Sequence, residues 1–353
     1  MVNPRLMSLG VLQRAVLVSR PSASVRSPYV ADVMLLDETR TDILEQVQCI
    51  RSEPSPSKAG LKKQLKDCSE YLRGISSPES LVLAHAPSLD CAGQVVPGSV
   101  VLVAPNANPS SKTKYSIQLV EQTKGTDSSL IGYHPALAEA LSKRLLTLGI
   151  LSSQLRLPFT PDTSQVLSQT KYSRSRFDFA IETNDHLLLI EVKNVVCAEE
   201  VESARVRHAL FPIGDASRNP SGSVSERAIK HVHELTMLEG TRTEDGRLIR
   251  AVVLFIVNRN DCLAFRPCHE ADMLFAQILQ KAHKKGVLLL AQQVTWGIAD
   301  GEYVATAGSP LPISFDSSVD CDQIDEAKLE SITSNTDDNL EVSESDSHRK
   351  RKR

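Results

Sequence analysis

Residues 175–195 read SRFDFAIETNDHLLLIEVKNV, and few folds other than a tight β-hairpin suit that order of residues. Asn184-Asp185 fits a two-residue type I′ turn, because both side chains tolerate the positive φ that such a turn demands. Pairing outward from it sets 183 against 186 and, further out, Asp178 against Glu191, with their Cβ atoms about 5 Å apart. Side-chain alternation adds Lys193 to that face and sends Phe177, Phe179, Ile190 and Val192 to the other. Like charges set opposite each other destabilise a sheet, and a divalent cation on hard oxygen ligands is the natural compensation. The ordinary explanation of such a trio is a charged, solvated outer face. Two details favour a site instead. Leu187-Leu188-Leu189-Ile190 runs without a polar break, as in a strand buried on both faces. Glu191 and Lys193 then fall at the C-terminal end of that strand, where α/β sheets place their sites.

Two carboxylates sharing Mg2+ or Mn2+, with a lysine two residues beyond one of them, suit hydrolysis of a phosphodiester. The cation offsets phosphate charge and acidifies a bound water, and Lys193 can orient that water or stabilise the developing charge. The sequence has no P-loop, no dinucleotide glycine fingerprint and no HExxH to support another chemistry. From Ser225 a helix is expected in which Arg227, Lys230, His231 and Glu234 share one stripe, with Ile229, Val232 and Leu235 facing the core. Two cations and a histidine so placed can hold a phosphate backbone, although such a stripe alone is more often a solvated face.

Charge and composition set the outer limits. The chain has 353 residues, enough for two cores, and its net charge is −3. From Asp316 onward there are 11 acidic against 6 basic residues, so the rest is near neutral, which leaves room for a local basic groove. No apolar run is long enough to span a bilayer, so no membrane partner is expected. Seven cysteines without a CxxC pair argue for a reducing, intracellular setting rather than a disulfide framework. Cys262, Cys268 and His269 lie close together but lack a partner pair at zinc-ligand spacing.

Along the chain, Val11–Ser19 and Tyr29–Leu36 read as strands, and residues 37–80 as an insertion with one helix near Leu61–Leu72. Strands resume at 81–84, 99–104 and 115–121, which suggests a small barrel over 1–130. From His134 helices and strands alternate to about residue 314, as in a mixed α/β sheet. Residues 315–353 are Ser-, Asp- and Glu-rich and expected to be disordered. They end in the basic run 349–353, a nuclear-import or polyanion-contact pattern, so both cytoplasm and nucleus fit.

SRFDF at 175–179, EVKN at 191–194, Phe211-Pro212, ERAIKHVHEL at 226–235, RAVVLFIV at 250–257 and GVLLLA at 286–291 together resemble the sugar fermentation stimulation protein A family, in order and spacing. The likeness extends to LQRAVLV at 12–18, ADV at 31–33 and Pro97-Gly98. It implies an α+β chain: an N-terminal OB-fold-like barrel, then a mixed-sheet domain of the PD-(D/E)xK nuclease type. It further implies DNA as the partner and Mg2+ or Mn2+ as the cofactor. Carried over by position, Asp178 and Glu191 become metal ligands and, with Lys193, the catalytic set, while Arg176, Arg227, Lys230 and His231 become phosphate contacts. Ala228 replaces a family glycine. Gln169, in Gln-Thr-Lys-Tyr, replaces a family glutamate that would be a third ligand, keeping a carbonyl oxygen but not the charge. The barrel loop is altered too, to His85-Ala86-Pro87-Ser88-Leu89-Asp90, and an arginine-aromatic pair becomes Pro28-Tyr29. Three readings follow: a metal-dependent nuclease, a DNA-binding regulatory protein that keeps the scaffold without catalysis, or a structural or interaction module in which the carboxylate pair is vestigial and the tail recruits partners. Cleavage of both strands of a duplex would favour a homodimer.

Overall fold

The computed structural model describes residues 3–334 except 38–40, 53–56, 89–93, 109, 125–126, 158–164, 200–205, 215 and 217–220. The chain begins with β1 (Arg5–Ser8), then β2 (Gln13–Ser19), β3 (Val30–Leu35), α1 (Thr41–Ser52), α2 (Lys58–Ile75), β4 (Leu81–His85), β5 (Val100–Pro105), β6 (Tyr115–Lys124) and β7 (Asp127–Gly132). Strand β2 pairs with β3 and β5, β3 with β4, and β5 with β6, all antiparallel. A parallel β4–β6 bridge closes the ring, giving the five-stranded order of an OB barrel, with β7 added beside β6. Alternation along the strands fills the interior with Ala15, Leu17, Ala31, Val33, Val101, Val103 and Ile117. The opposite face of β2 and β3 is also apolar, and α1 and α2 cover it: Ile43, Val47, Cys68 and Leu72 bury Val16, Val18 and Met34.

The second half continues with α3 (Ala136–Thr147), β8 (Val166–Tyr172), β9 (Ser175–Glu182), β10 (His186–Val195), β11 (Cys197–Ala198), β12 (His208–Phe211), α4 (Glu226–Leu238), β13 (Leu248–Val257), β14 (Ala264–Pro267), α5 (Met273–Lys284), β15 (Leu288–Ala299), β16 (Glu302–Leu311) and α6 (Glu326–Ser334). A seven-stranded sheet runs β1-β16-β15-β13-β10-β9-β8, with β10, β13 and β15 parallel at its centre. Their leucine- and valine-rich runs are buried on both faces, by α3 on one side and by α4, α5 and α6 on the other. Strands β11, β12 and β14 form a small separate sheet. Ser225 and Asp272 cap α4 and α5 by accepting the N–H groups of Ala228 and Phe275.

Several expectations change. Residues 5–8 join the far edge of the large sheet rather than the barrel, because β16 offers them an unpaired edge. The insertion holds two helices; Ile43 and Val47, one turn apart, give α1 its buried face. After residue 315, Glu326–Ser334 form α6, whose Leu329 and Ile332 pack against the α4/α5 core. The terminal basic run, and Leu89-Asp90 of the altered barrel loop, lie outside the described residues. The β9–β10 hairpin keeps its expected register, Glu182 opposite Leu187 and Phe179 opposite Ile190. Its turn is not type I′: neither Asn184 nor Asp185 has a positive φ, and Thr183 Oγ1 instead accepts the His186 N–H at 2.9 Å.

Candidate metal centre

Strand β10 carries Glu191 and Lys193 toward α4, on the same side as Leu187 and Leu189. Glu191 is buried to 3% exposure. Its Oε1 accepts two hydrogen bonds, from Lys193 Nζ at 2.6 Å and from His231 Nδ1 at 2.5 Å. Its Oε2 is buried with no hydrogen-bond partner among the described residues. Burial alone would raise the Glu191 pKa, but Lys193 and the His231 hydrogen bond outweigh it and hold the carboxyl at about 2, so it is ionised at neutral pH. An ionised, buried oxygen without a donor is costly unless a cation sits against it.

Asp178, on β9, is arranged differently. The ladder records its last pair at Phe179 and Ile190; beyond it, Asp178 Oδ2 accepts the Val192 N–H at 2.8 Å. Burial first, and the Glu191 charge second, raise its pKa. Across β8 it faces Gln169, which adopts left-handed backbone with φ 52° between the regular pairs Ser168–Phe179 and Thr170–Phe177. Alternation slips there. Phe179, Ile190 and Val192 pack on the α3 side as expected, whereas Phe177 turns to the α4 side and meets the His231 ring edge-on.

The Gln169 amide donates to Glu139 Oε1 at 3.0 Å and more weakly to Asp178 Oδ1 at 3.4 Å. Glu139, in the first turn of α3, thus brings a third carboxylate to the glutamine that replaces the family glutamate. Nothing in the spacing of residues 139 and 178 marks this contact; an acid in the first turn of a helix next to β8 was the only available sign. Among the described residues no three His, Cys, Asp or Glu side chains converge into a complete metal-ligand set. Asp178 and Glu191, with Glu139 and the Gln169 amide beside Asp178, bring together hard oxygen groups of the kind that can hold a divalent cation.

The α4 stripe divides. His231 is buried and bonded to Glu191, so it cannot reach a phosphate from solvent; the expectation of a phosphate contact there is corrected to one of holding Glu191. Glu234 accepts the Arg174 N–H at 3.2 Å and the Ser175 hydroxyl, pinning the β8–β9 turn to α4. Arg176 and Arg227 are exposed and Lys230 half-buried, as a surface contact requires. The barrel abuts the same end of β10: Asn194 donates to the Gly132 carbonyl at 3.4 Å, and Gly132 N–H to Asn258 O at 2.8 Å. Any side chain at 132 would collide with Asn258, 2.2 Å from where its Cβ would lie. Cys262 and Cys268 are buried thiols that form no disulfide.

An OB barrel leading into a mixed sheet with an Asp and a Glu-x-Lys on adjacent strands defines an α+β class with paired carboxylates. The chain belongs to the sugar fermentation stimulation protein (SfsA) family. The model of that family's RE domain matches residues 136–299. The homologue of Trichodesmium erythraeum is 31% identical over 214 residues, spanning 60% of this chain and 74% of the relative. That of Syntrophotalea carbinolica is 31% identical over 216 residues and 79% of its length. The structure of Pyrococcus furiosus SfsA in complex with Ca2+ matches with a TM-score of 0.58 at 17% identity, covering 88% of this chain and all of that one. No helix among the described residues is long and apolar enough to cross a membrane.

Proposed function

We propose that this protein is a metal-dependent nuclease that hydrolyses phosphodiester bonds in DNA, with Asp178 and Glu191 holding Mg2+ or Mn2+. The observation that carries this reading is the buried, ionised Glu191 Oε2 without a partner, next to a second carboxylate. The relative solved in complex with Ca2+ supports a divalent cation in this family. A bound cation would supply charge to the scissile phosphate and a more acidic water. Lys193, anchored to Glu191, keeps further N–H donors for a phosphate oxygen. Arg176, Arg227 and Lys230 would hold the backbone on either side.

A second reading, a DNA-binding protein without catalysis, draws on Gln169, whose amide NH2 donates to Glu139 and Asp178 where the family glutamate would bring a further negative charge to the metal. Turning that amide would present its carbonyl oxygen to a cation, so the residue weakens the centre without closing it. The deciding experiment compares wild type with Asp178→Ala in Mg2+ and Mn2+ on linear duplex and single-stranded DNA. Loss of the ligand removes several kcal/mol of charge stabilisation, so cleavage should fall by about 10³-fold or more while unfolding stays cooperative. Equal cleavage by the variant would refute the assignment. Salt-dependent DNA binding with no cleavage by wild type would establish the second reading.

A further inference from the structure

At the other end of β10 from the carboxylates, a cavity of about 690 Å3 opens beside the β9–β10 turn. Its edge at His186 lies five residues from Glu191, roughly 16 Å along the strand, so the two sites do not overlap. The volume is in the usual range for small-molecule sites. Three adjacent central strands give it an apolar floor, Leu188, Val252 and Leu288, and three arginines rim it, Arg156, Arg247 and Arg250.

The rim is not a closed set of ion pairs. Arg247 is engaged by Asp245 at 2.8 Å and Glu182 at 3.3 Å. Glu239 meets Arg250 at Nε, at 3.3 Å, and a guanidinium carries five N–H donors, more than one carboxylate can accept, so the fork retains capacity. Arg156 is exposed and adopts left-handed backbone, φ 56°, a conformation that disfavours any residue with a Cβ. An arginine held there at a steric cost, on the rim of a cavity, points to a job for its side chain.

We propose that this cavity binds a nucleoside 5′-monophosphate. An apolar floor suits an aromatic base. Asn184 at the wall offers an amide group to the base edge, and Asp185 offers a carboxylate to the ribose hydroxyls. Arg156 and Arg250 take the phosphate, for which a planar guanidinium is the best-matched side chain. A free anion would leave the floor unused, and a nucleoside would leave the arginines unused. The proposal does not depend on hydrolysis at Asp178 and Glu191.

The test is calorimetric titration of the full chain in EDTA, so that the carboxylate centre holds no cation. The probes are AMP, GMP, CMP and UMP, each beside its nucleoside and inorganic phosphate. At least one monophosphate should bind one-to-one and more tightly than its nucleoside or phosphate. Arg250→Ala and Arg156→Gly should each weaken it by about tenfold or more, the effect of a lost charge-assisted hydrogen bond. Arg156→Gly should do so without lowering the melting temperature, because glycine relieves the backbone, whereas a purely structural arginine would show the reverse. Asp178→Ala should bind as wild type does. Absence of saturable binding, indifference to both arginine variants, or phosphate binding as tightly as every monophosphate would each overturn the proposal.

Discussion

Two buried ionic clusters lie near the junction of the barrel and the large sheet, and they are finished to different degrees. Arg259 is fully buried, and each of its nitrogens has an acceptor: Asp261 at 2.6 and 2.7 Å, the Val196 carbonyl at 2.8 Å and Gln122 of the barrel at 2.9 Å. Asp261 is further engaged by Arg207. Glu191, also buried, has two donors on Oε1 and, among the described residues, none on Oε2. A charge removed from water is tolerated when its hydrogen-bonding capacity is filled. The Arg259 cluster meets that condition internally and ties barrel to sheet. The Glu191 cluster meets it only if something else arrives.

The contrast is broken most directly at the closed cluster. Asp261→Ala leaves Arg259 buried and unpaired, so unfolding free energy in urea should fall by about 3–5 kcal/mol. Metal affinity of the folded protein should stay as it was. A loss below about 1 kcal/mol would mean that water reaches Arg259 and that the two clusters differ less than their geometry indicates.

The open cluster should respond in the opposite sense, through metal rather than stability. His231 fixes Glu191 from behind, and removing such a partner typically weakens a metal site by about 10–100-fold. His231→Ala should show that loss in Mn2+ titration, and His231→Gln, which can still donate to Glu191, should recover part of it. Equal affinity in all three proteins would remove His231 from the site.

Acid titration without metal sharpens the comparison further. Glu191 has a folded pKa of about 2 against an ordinary 4.5. Its stabilising contribution is therefore complete above pH 4.5 and is lost as pH falls toward 2. Asp178 is shifted upward, so its contribution has the opposite sign, present below 3.8 and lost as pH rises through its raised pKa. Stability measured from pH 5 to pH 2 should thus fall less steeply in Glu191→Gln and more steeply in Asp178→Asn. Asp261, also shifted down, keeps a slope in both variants. Parallel curves for all three proteins would contradict the assigned shifts.

How far these clusters could be read from sequence depends on the range of the contacts. The β9–β10 register follows from local alternation around Asn184-Asp185, and the structure keeps it although Thr183 closes the turn in its own way. A buried face at regular spacing, Ile229, Val232 and Leu235, likewise made α4 legible. Glu139 and Gln169 meet across 30 residues, and β1 and β16 across nearly 300, distances over which periodicity carries no information. His231 misled for a different reason: a cationic stripe looks alike whether it faces solvent or a buried carboxylate, and only the position of β10 decides which.

The smallest expected effect is the most informative about this chain's departure from its family. Gln169 donates to Glu139 and Asp178, so without metal it neutralises part of their repulsion. Gln169→Glu would place three carboxylates together, lowering metal-free stability by about 1 kcal/mol, as like charges in partial contact with water do. With Mn2+ present the sign should reverse, because the added charge joins the ligand set; affinity should rise several-fold, on the order of 1 kcal/mol. Reversal of sign between the two conditions is the result expected of a metal centre that includes Asp178. Destabilisation of equal size with and without Mn2+ would instead mean that Gln169 is an inert structural replacement, and that the open oxygen of Glu191 has some other use.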